Sequence, residues 1–237
     1  AIIDQVSIPK TEPYAEFTPD EENPFVYHNG TDGIVVDKEE LYQKIDEEFA
    51  NSLKIYVTIP TYQEKQTKTL QQVKDETALR GSFSTSYKTS SADRKYNVKK
   101  ALSSFNGMIV APEQEVSFNS TTGARTAENG YKKANIILGG VYVEGTGGGV
   151  CQASTTLYNA LLYSDLEILE VNRHSLPASY VPLGFDAMVS EGLSDLRFKN
   201  TTSNNIYIKT YYDAENVYVQ IFGEKFPDGF KIERKAE

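Results

Sequence analysis

The chain has 237 residues, of which 39% are hydrophobic, and a formal net charge of −9 at pH 7. This length suits one large domain or two ordinary domains with a proper core. No apolar run approaches the roughly 20 residues of a membrane span, and no signal peptide is visible. Because the chain begins at Ala1 rather than Met, we expect a piece of a longer protein, with any anchor or signal removed.

The charge is unevenly distributed along the chain. Residues 1–76 carry 7 Lys, no Arg and 16 acidic residues, a net charge of −9, whereas residues 77–237 carry 17 basic and 17 acidic residues. This asymmetry predicts two domains with different surfaces, with a boundary near residue 76. Neither part shows the basic stripe that binds nucleic acid, so we expect no nucleic-acid partner.

The first part reads as a small α+β domain. Residues 9–33 are rich in Pro, Glu and Asp and predict irregular or extended structure. The sequence "DKEELYQKIDEEFANSL" predicts a helix capped by Asp37. "LKIYVTIP" alternates as a half-buried strand that ends at Pro60, and "KQTKTLQQVKDETALR" predicts a polar connector helix or linker. The inner face of the helix is expected to hold Leu41, Ile45 and Phe49.

The second part predicts strands that outnumber helices. "GSFSTSY" is a strand candidate, and "ADRKYNVKKALSSFNG" predicts a helix capped by Asp93 and ended by Gly107. "MIVAPEQEVSFN" is typical of a strand, a turn and a second strand. The inner face of the helix is expected to hold Val98, Leu102 and Phe105.

The remaining elements complete an α+β pattern with a mixed or antiparallel sheet. Residues 139–149 hold six of the 16 glycines and predict a loop. A helix with Cys151 at its start follows, and then a strand near "LEILEVN". "NNIYIKTYY" and "NVYVQIFG" predict a hairpin joined through residues 213–215.

Cys151 is the only cysteine, which excludes an intramolecular disulfide and a cysteine-based metal site. A lone cysteine is commonly a buried packing residue. The glycine loop, however, places Cys151 at a helix start, and the apolar positions Leu157, Ala160 and Leu161 lie further along, so the first turn can stay exposed. Unpaired N–H groups at a helix start stabilise a thiolate and an oxyanion. This pattern favours a nucleophile.

Two further residues could complete a catalytic set with this cysteine. His174 lies 23 residues beyond Cys151, and Asp186 lies 12 residues beyond His174. A hairpin-like return would bring the carboxylate level with the imidazole and orient it. The order of Cys on a helix, His on a strand and Asp on the next strand occurs in papain-like and transglutaminase-like enzymes. Packing or capping roles for His174 and Asp186 stay open.

The motifs "GSFSTSY", "GARTAENGYKKANII", "GGGVCQ", "TLYNA" and "NRHSLPASYVPLGFDAMV" resemble successive motifs of the VanW domain. This resemblance extends over approximately residues 80–210. Residues before the boundary resemble, more loosely, the peptidoglycan-binding domain that often precedes VanW. The resemblance implies an extracytoplasmic protein of the Gram-positive cell envelope, tethered by an N-terminal membrane helix that is missing here.

The resemblance also implies an activity, because VanW members have been linked to L,D-transpeptidation, the formation of 3–3 peptidoglycan cross-links. It implies Cys151 as nucleophile and His174 as its base, whereas Asp186 as orienting residue follows from spacing alone. Stem-peptide carboxylates need cations, and we expect Arg94 and Arg125 to bind them, although surface ion pairs are an equal alternative. The other candidate substrate contacts are Gly148, Gly149, Gln152 and Tyr180.

We expect the N–H groups of Cys151 and Gln152 to hold the oxyanion. Two alternative functions remain at this stage. One is a peptidoglycan amidase or endopeptidase with the same residues and water as acceptor, and the other is a non-catalytic peptidoglycan-binding accessory protein of glycopeptide resistance. The sequence contains no metal-ligand set, phosphate loop or cofactor fingerprint, so we expect no cofactor. It does not indicate an oligomeric state.

Overall fold

The computed structural model describes residues 2–51, 54, 56–138 and 141–235. The chain divides into two compact units. The first unit contains Ala1–Glu16 and Val26–Lys74, and the second contains Phe17–Phe25 and Asp75–Glu237. The short segment at residues 17–25 therefore belongs to the second unit.

The first unit is small and built from short elements. The helices and strands up to residue 75 are α1 (Ile2–Val6), β1 (Tyr14–Phe17), β2 (Phe25–His28), β3 (Gly33–Val36), α2 (Lys38–Asn51), β4 (Thr61–Glu64) and α3 (Leu70–Asp75). Strand β1 pairs with β2, and β3 pairs antiparallel with β4. Asp37 caps α2 as predicted, because its carboxylate accepts the N–H of Glu40 at 3.0 Å.

Three predictions for this region need correction or lie outside the described residues. Phe49 does not face a core, because it is 67% exposed. The buried residue of α2 is Leu41. Leu53 and Ile55 of the predicted strand lie outside the described residues; residues 56–60 form no strand, and β4 begins beyond Pro60. Only the six residues of α3 are helical in the predicted connector.

A four-stranded antiparallel sheet forms the centre of the second unit. Its order is β5 (Ala78–Ser86), β13 (Asn216–Gly223), β12 (Ile206–Tyr212) and β6 (Met108–Val110). The predicted hairpin of β12 and β13 is confirmed. The Asp213 carboxylate stabilises its turn by accepting the N–H groups of Glu215 and Asn216 at 2.7 Å.

The other strands form two smaller sheets. Strands β10 (Glu167–Glu170), β11 (Arg197–Lys199) and β7 (Glu115–Ser117) make a three-stranded antiparallel sheet, and β8 (Lys133–Leu138) pairs with β9 (Val141–Thr146). The predicted glycine loop is thus mostly a strand, because β9 extends to Thr146. Residues 139 and 140 of that loop lie outside the described residues.

Three helices belong to the second unit: α4 (Ala92–Ser103), α5 (Phe118–Thr122) and α6 (Val150–Tyr163). The N-cap of α4 is Ser91, whose hydroxyl accepts the N–H of Arg94, so Asp93 is not the cap; it pairs with Lys132 at 3.0 Å. Helix α4 ends at Ser103, before the predicted stop at Gly107. Its predicted inner face is buried, since Val98, Leu102 and Phe105 are at most 2% exposed.

Helix α6 is the central element of the core. It packs on β5, β13 and α4, and it is buried at Val150 and from Gln152 to Leu161. The expected exposure of its first turn is limited to Cys151, which is partly exposed, because Val150, Gln152 and Ala153 are buried. The α+β class with antiparallel sheets is confirmed, with six helices and thirteen strands among the described residues. Within the described ranges, no helix has the length and apolarity to cross a membrane.

Candidate active site

Cys151 is the second residue of α6 and stands out from its buried neighbours by being partly exposed. Gly149 is the N-cap of the helix and has φ +105°, a conformation that L-residues avoid. A Cβ at this position would lie 2.9 Å from Cγ of Arg94. A glycine is therefore required for the chain to turn into α6 beneath Arg94 and present the Cys151 side chain.

The first turn of α6 leaves the backbone N–H of Cys151 open. The N–H of Val150 donates to the Gly147 carbonyl at 3.1 Å, and the N–H of Gln152 donates to the Gly149 carbonyl at 2.9 Å. In the part of the chain that the structure describes, the N–H of Cys151 has no hydrogen-bond acceptor. Of the two N–H groups expected at the oxyanion, that of Gln152 is thus already hydrogen-bonded and that of Cys151 is open. The oxyanion contacts themselves stay predictions.

An isolated antiparallel bridge between Asn172 and Met188 brings His174 opposite Asp186. Each lies two residues beyond the bridge, so the pair occupies the next position in the same register. Neither belongs to a strand, which corrects the predicted strand placement. One carboxylate oxygen of Asp186 accepts both the backbone N–H and Nδ1 of His174, each at 2.7 Å. This double contact fixes the ring orientation.

The interaction of His174 with Cys151 favours charge on both side chains. Burial alone would raise the pKa of the Cys151 thiol, but hydrogen bonding to His174 and Val189 and the charges of His174 and Arg125 lower it below its ordinary value. Burial alone would lower the pKa of His174, but hydrogen bonds and charges of Cys151 and Asp186 raise it. The pair therefore favours a thiolate beside an imidazolium.

Asp186 is suited to stay ionised beside the ring. Its side chain is 10% exposed, and that of His174 is 8% exposed. Burial would raise the pKa of the carboxyl, but the hydrogen bonds from the backbone and ring of His174, and the charge of the ring, lower it. A buried carboxylate in this position holds the imidazole in one tautomer and stabilises its protonated form.

A polar face of α6 that sequence reasoning missed holds the segment carrying Asp186. Ser154 Oγ donates to the Ala187 carbonyl at 2.6 Å, Thr155 Oγ1 accepts the Ala187 N–H at 2.9 Å, and Asn159 donates to the Phe185 carbonyl at 2.8 Å. With Cys151, these residues have the spacing i, i+3, i+4 and i+8, which is one helix face. That spacing of small polar residues was the signal available in the sequence.

Arg173 is a second residue that the sequence reasoning did not assign. Its Nη1 donates to the backbone carbonyl of Asp186. Its Nη2 lies 3.1 Å from the Tyr158 hydroxyl, and the guanidinium carbon is 5.1 Å from the centre of that ring. Arg173 and His174 therefore hold the main chain and the side chain of Asp186, respectively.

Gln152 is buried, and its side-chain amide is hydrogen-bonded within the protein. Its side-chain oxygen accepts from Arg94 Nη1 at 2.7 Å, and its side-chain nitrogen donates to Thr85 Oγ1 and the Ser86 carbonyl at 3.0 and 2.9 Å. The residue is 1% exposed, so its amide is fully engaged. Its effect on the site is to hold Arg94.

Arg125 lies on the other side of the cysteine. Its Nη2 donates to Asn119, whose own amide nitrogen donates to the Ser194 carbonyl at 2.9 Å. Nε of Arg125 is buried and has no hydrogen-bond partner among the described residues, and no described carboxylate lies within ion-pair distance. Within the described residues, Arg125 therefore does not form the surface ion pair that was the alternative to binding a substrate carboxylate.

Cys151 opens into a cleft of about 1680 Å³, which exceeds the usual 300–1,000 Å³ of small-molecule pockets. Predicted site residues on its walls are Cys151, His174, Arg94, Arg125, Gly149, Gln152 and Tyr180. Gly148 is not among them, because it is buried and a Cβ there would meet the Ala134 carbonyl at 2.6 Å. Across the described ranges, no group of three His, Cys, Asp or Glu side chains could hold a metal ion.

The sequence of the chain was compared with those of known protein families. The family described as VanW like protein matches residues 93–222, more than half of the chain. The chain belongs to the VanW family. The resemblance seen in the sequence motifs is thereby confirmed, whereas the likeness of the upstream segment to a peptidoglycan-binding domain stays a prediction.

Two VanW relatives are similar over part of their length. The uncharacterized protein YoaR of Bacillus subtilis (strain 168) is 39% identical over 129 residues, 54% of this chain and 43% of that protein. The vancomycin B-type resistance protein VanW of Enterococcus faecalis (strain ATCC 700802 / V583) is 30% identical over 146 residues, 59% of this chain and 53% of that protein. The chain thus spans about half of each relative. No solved structure matches it.

Proposed function

We propose that this VanW domain is a cysteine-dependent L,D-transpeptidase that forms 3–3 cross-links in peptidoglycan. The observation that carries the proposal is the arrangement of three side chains at the cleft. Asp186 holds His174 through two 2.7 Å hydrogen bonds. His174 and Cys151 line the same cleft, and the charge of His174 lowers the pKa of the Cys151 thiol. A nucleophile, a base and an orienting carboxylate in this order support covalent acyl transfer.

In the proposed reaction, the Cys151 thiolate attacks the carbonyl of the third residue of a tetrapeptide stem. The C–N bond to the terminal D-Ala breaks, and imidazolium His174 gives its proton to the departing amine. The side-chain amine of a second stem then attacks the thioester and loses a proton to His174. The new amide bond forms as the C–S bond breaks. The cleft's size is consistent with peptide substrates.

Arg125 supports the binding of an anionic substrate group. Its side chain lines the cleft, and its charge lowers the pKa of the Cys151 thiol. A stem-peptide carboxylate would supply two acceptor oxygens to such a guanidinium. Arg94, held by Gln152 and by Ser90 Oγ at 2.7 Å, is the second cation on the cleft wall.

We also propose that the protein acts outside the cytoplasmic membrane, in the envelope of a Gram-positive bacterium. It also assigns the first unit to peptidoglycan binding, with tethering through a membrane helix outside this chain. The name of one relative, a vancomycin B-type resistance protein, supports an action on the cell wall.

The test incubates the whole chain with tetrapeptide-stem muropeptides and follows their masses. We expect free D-Ala and cross-linked dimers, and neither product with Cys151→Ala, because the thioester needs the sulfur. Shortened monomers without dimers would instead support a hydrolase. Unchanged masses with retained muropeptide binding, equal in wild type and Cys151→Ala, would contradict both chemistries and leave a wall-binding module.

A further inference from the structure

The C-terminal segment beyond β13 returns to the core at α6. Strand β13 ends at Gly223, and residues 224–235 contain no helix or strand. Near the end of this segment, Nη1 of Arg234 donates to the side-chain oxygen of Asn159 on α6. Because the two residues are 75 positions apart in the sequence, this contact attaches the segment to the central helix.

Three aromatic rings contact the guanidinium of Arg234. Its central carbon lies 4.5 Å from the ring centres of Tyr163 and Phe185 and 4.8 Å from that of Phe83. A guanidinium within about 6 Å of a ring centre is attracted by the ring quadrupole. We call these three rings the aromatic cage. Arg234 is therefore held by its hydrogen bond to Asn159 and by the cation–π contacts of the cage.

The contact with Arg234 fixes the side-chain amide of Asn159. The amide nitrogen donates to the Thr155 carbonyl at 2.7 Å and to the Phe185 carbonyl at 2.8 Å. Arginine can only donate, so the amide oxygen must face Arg234 and the amide nitrogen must face the two carbonyls. Asn159 is 0% exposed, and loss of Arg234 would leave its buried oxygen without this donor, which is costly. The guanidinium thus stabilises the hydrogen bond by which α6 holds Phe185.

Phe185 connects this arrangement to the candidate active site, because it directly precedes Asp186. Arg234 contacts the ring of Phe185 and, through Asn159, its carbonyl. Asp186 in turn holds His174 through two 2.7 Å hydrogen bonds. A shift of the main chain at Phe185 would therefore move the Asp186 carboxylate relative to the imidazole.

We infer that Arg234 is a positioning residue of the candidate active site. Bound in the aromatic cage, it holds Phe185, and with it Asp186, in the place that orients His174. Arg234 is not among the described residues that line the cleft, so it acts through Phe185 and not on a bound substrate. The inference rests on the proposed function, because it assigns to Arg234 the support of the proposed orienting carboxylate.

The test measures the pH midpoint of Cys151 alkylation by iodoacetamide in Arg234→Ala. Without the guanidinium the Asp186 carboxylate is free to move, and the imidazolium beside the sulfur is less well held. The midpoint should therefore rise by about 0.5–1 pH unit. In D-Ala release from tetrapeptide stems, kcat should fall about 10- to 100-fold with KM little changed, because the cleft wall is intact. Lys235→Ala is the matched control, since Lys235 is the next residue and is exposed; it should behave as wild type in both reactions.

Chemical rescue distinguishes positioning from a general loss of stability. Millimolar ethylguanidinium should enter the cage of Arg234→Ala and restore the wild-type midpoint. Ethylammonium at the same concentration should not, because it lacks the planar fork and is more strongly hydrated. If Arg234→Ala does not fold, Arg234→Lys takes its place. For the same reason it should show a smaller rise of the midpoint, and an unchanged midpoint there would contradict the inference.

Equal midpoints for Arg234→Ala and Lys235→Ala would overturn the inference. So would a shift that ethylguanidinium leaves unchanged, since Arg234 would then only stabilise the fold. If wild type and Cys151→Ala released D-Ala equally, the proposed function would fail. The alkylation midpoints would still decide whether Arg234 positions Asp186, because that reaction needs no peptidoglycan substrate.

Discussion

The pKa of the Cys151 thiol is lowered by neighbouring side chains and not by its position in the core. Burial opposes the thiolate, and the lowered pKa arises because hydrogen bonds and the charges of His174 and Arg125 outweigh that cost. The start of α6, where Cys151 is the second residue, acts in the same direction. We therefore expect the ionisation of the Cys151 sulfur to depend on His174.

Replacing His174 with Gln should reverse the direction of the Cys151 pKa shift. In wild type, the midpoint of iodoacetamide alkylation against pH is expected below about 8.5, the value of a free thiol. In His174→Gln the burial remains without the imidazolium, so the midpoint should rise above that value. Wild-type alkylation should increase as pH rises through the lowered pKa of the thiol.

His28→Gln is the control for this titration, because it removes the other histidine and lies in the first unit. It should leave the alkylation midpoint unchanged. Equal midpoints for wild type and His174→Gln would show that the imidazole does not stabilise the thiolate, and the catalytic assignment of His174 would then be abandoned.

At the scale of elements, residues 185–189 form hydrogen bonds alternately with α6 and with residues 172–174, although they are not part of a named strand. The carbonyls of Phe185, Ala187 and Val189 accept from side chains of α6. The alternate residues face the other way: Asp186 contacts Arg173 and His174, and the Met188 N–H donates to the Asn172 carbonyl at 2.8 Å. This alternation of period two places the carboxylate opposite the imidazole.

The turn into α6 predicts a specific cost for a side chain at position 149. Gly149→Ala should destabilise the protein by about 1–3 kcal/mol, because φ +105° strains an L-residue and the added Cβ meets Arg94. Gly192→Ala is the control, since φ is +72° there and no atom lies within 4 Å of the added Cβ. It should cost only the conformational strain of about 1 kcal/mol.

Urea unfolding of both variants measures this difference. The Gly149 variant should also show slower D-Ala release, because displacement of Arg94 disturbs the cleft wall, whereas the Gly192 variant should keep the wild-type rate. Equal unfolding free energies for the two variants would mean that Arg94 moves aside at no cost.

Local patterns predicted much of this architecture, but not its long-range contacts. The core face of α4, the capping of α2 by Asp37 and the β12–β13 hairpin follow from spacing and turn chemistry over a few residues. The partners of β6 and β7 do not, since they pair with β12 and β11 from the far end of the chain. Glycine content was misleading for β9, where Gly145 sits inside a strand against the Ile136 side chain.

The candidate site shows the same division between local and distant information. The spacing of His174 and Asp186 predicted their hydrogen bonding, because a short hairpin-like return has few possible registers. Their role with Cys151 stays a prediction. The partner of Gln152 could not be predicted, since Arg94 and Thr85 lie more than 50 residues away. The sequence alone does not distinguish a buried glutamine side chain from an exposed one.

At the scale of the whole molecule, the second unit includes a segment that interrupts the first unit along the chain. The segment Phe17–Phe25 belongs to the second unit. The rings of Phe17 and Phe25 each lie 5.2 Å from that of Tyr207, and Phe25 lies 5.4 Å from Phe222. These edge contacts cover β12 and β13 of the central sheet, so a cut at residue 76 would remove part of the unit's own packing.

Phe25→Ala should therefore destabilise the second unit, although Phe25 precedes the predicted boundary by some 50 residues. Loss of a partly buried ring and its aromatic contacts should cost about 1–3 kcal/mol. Hydrogen exchange of the β12 and β13 amides should accelerate accordingly. Val26→Ala is the matched control, because Val26 is the next residue of β2 and is 46% exposed; its effect should stay within about 0.5 kcal/mol. If the β12 amides exchanged equally slowly in the two variants, residues 17–25 would not contribute to the stability of the second unit. Residues 77–237 alone should then retain the stability and the alkylation rate of the whole chain.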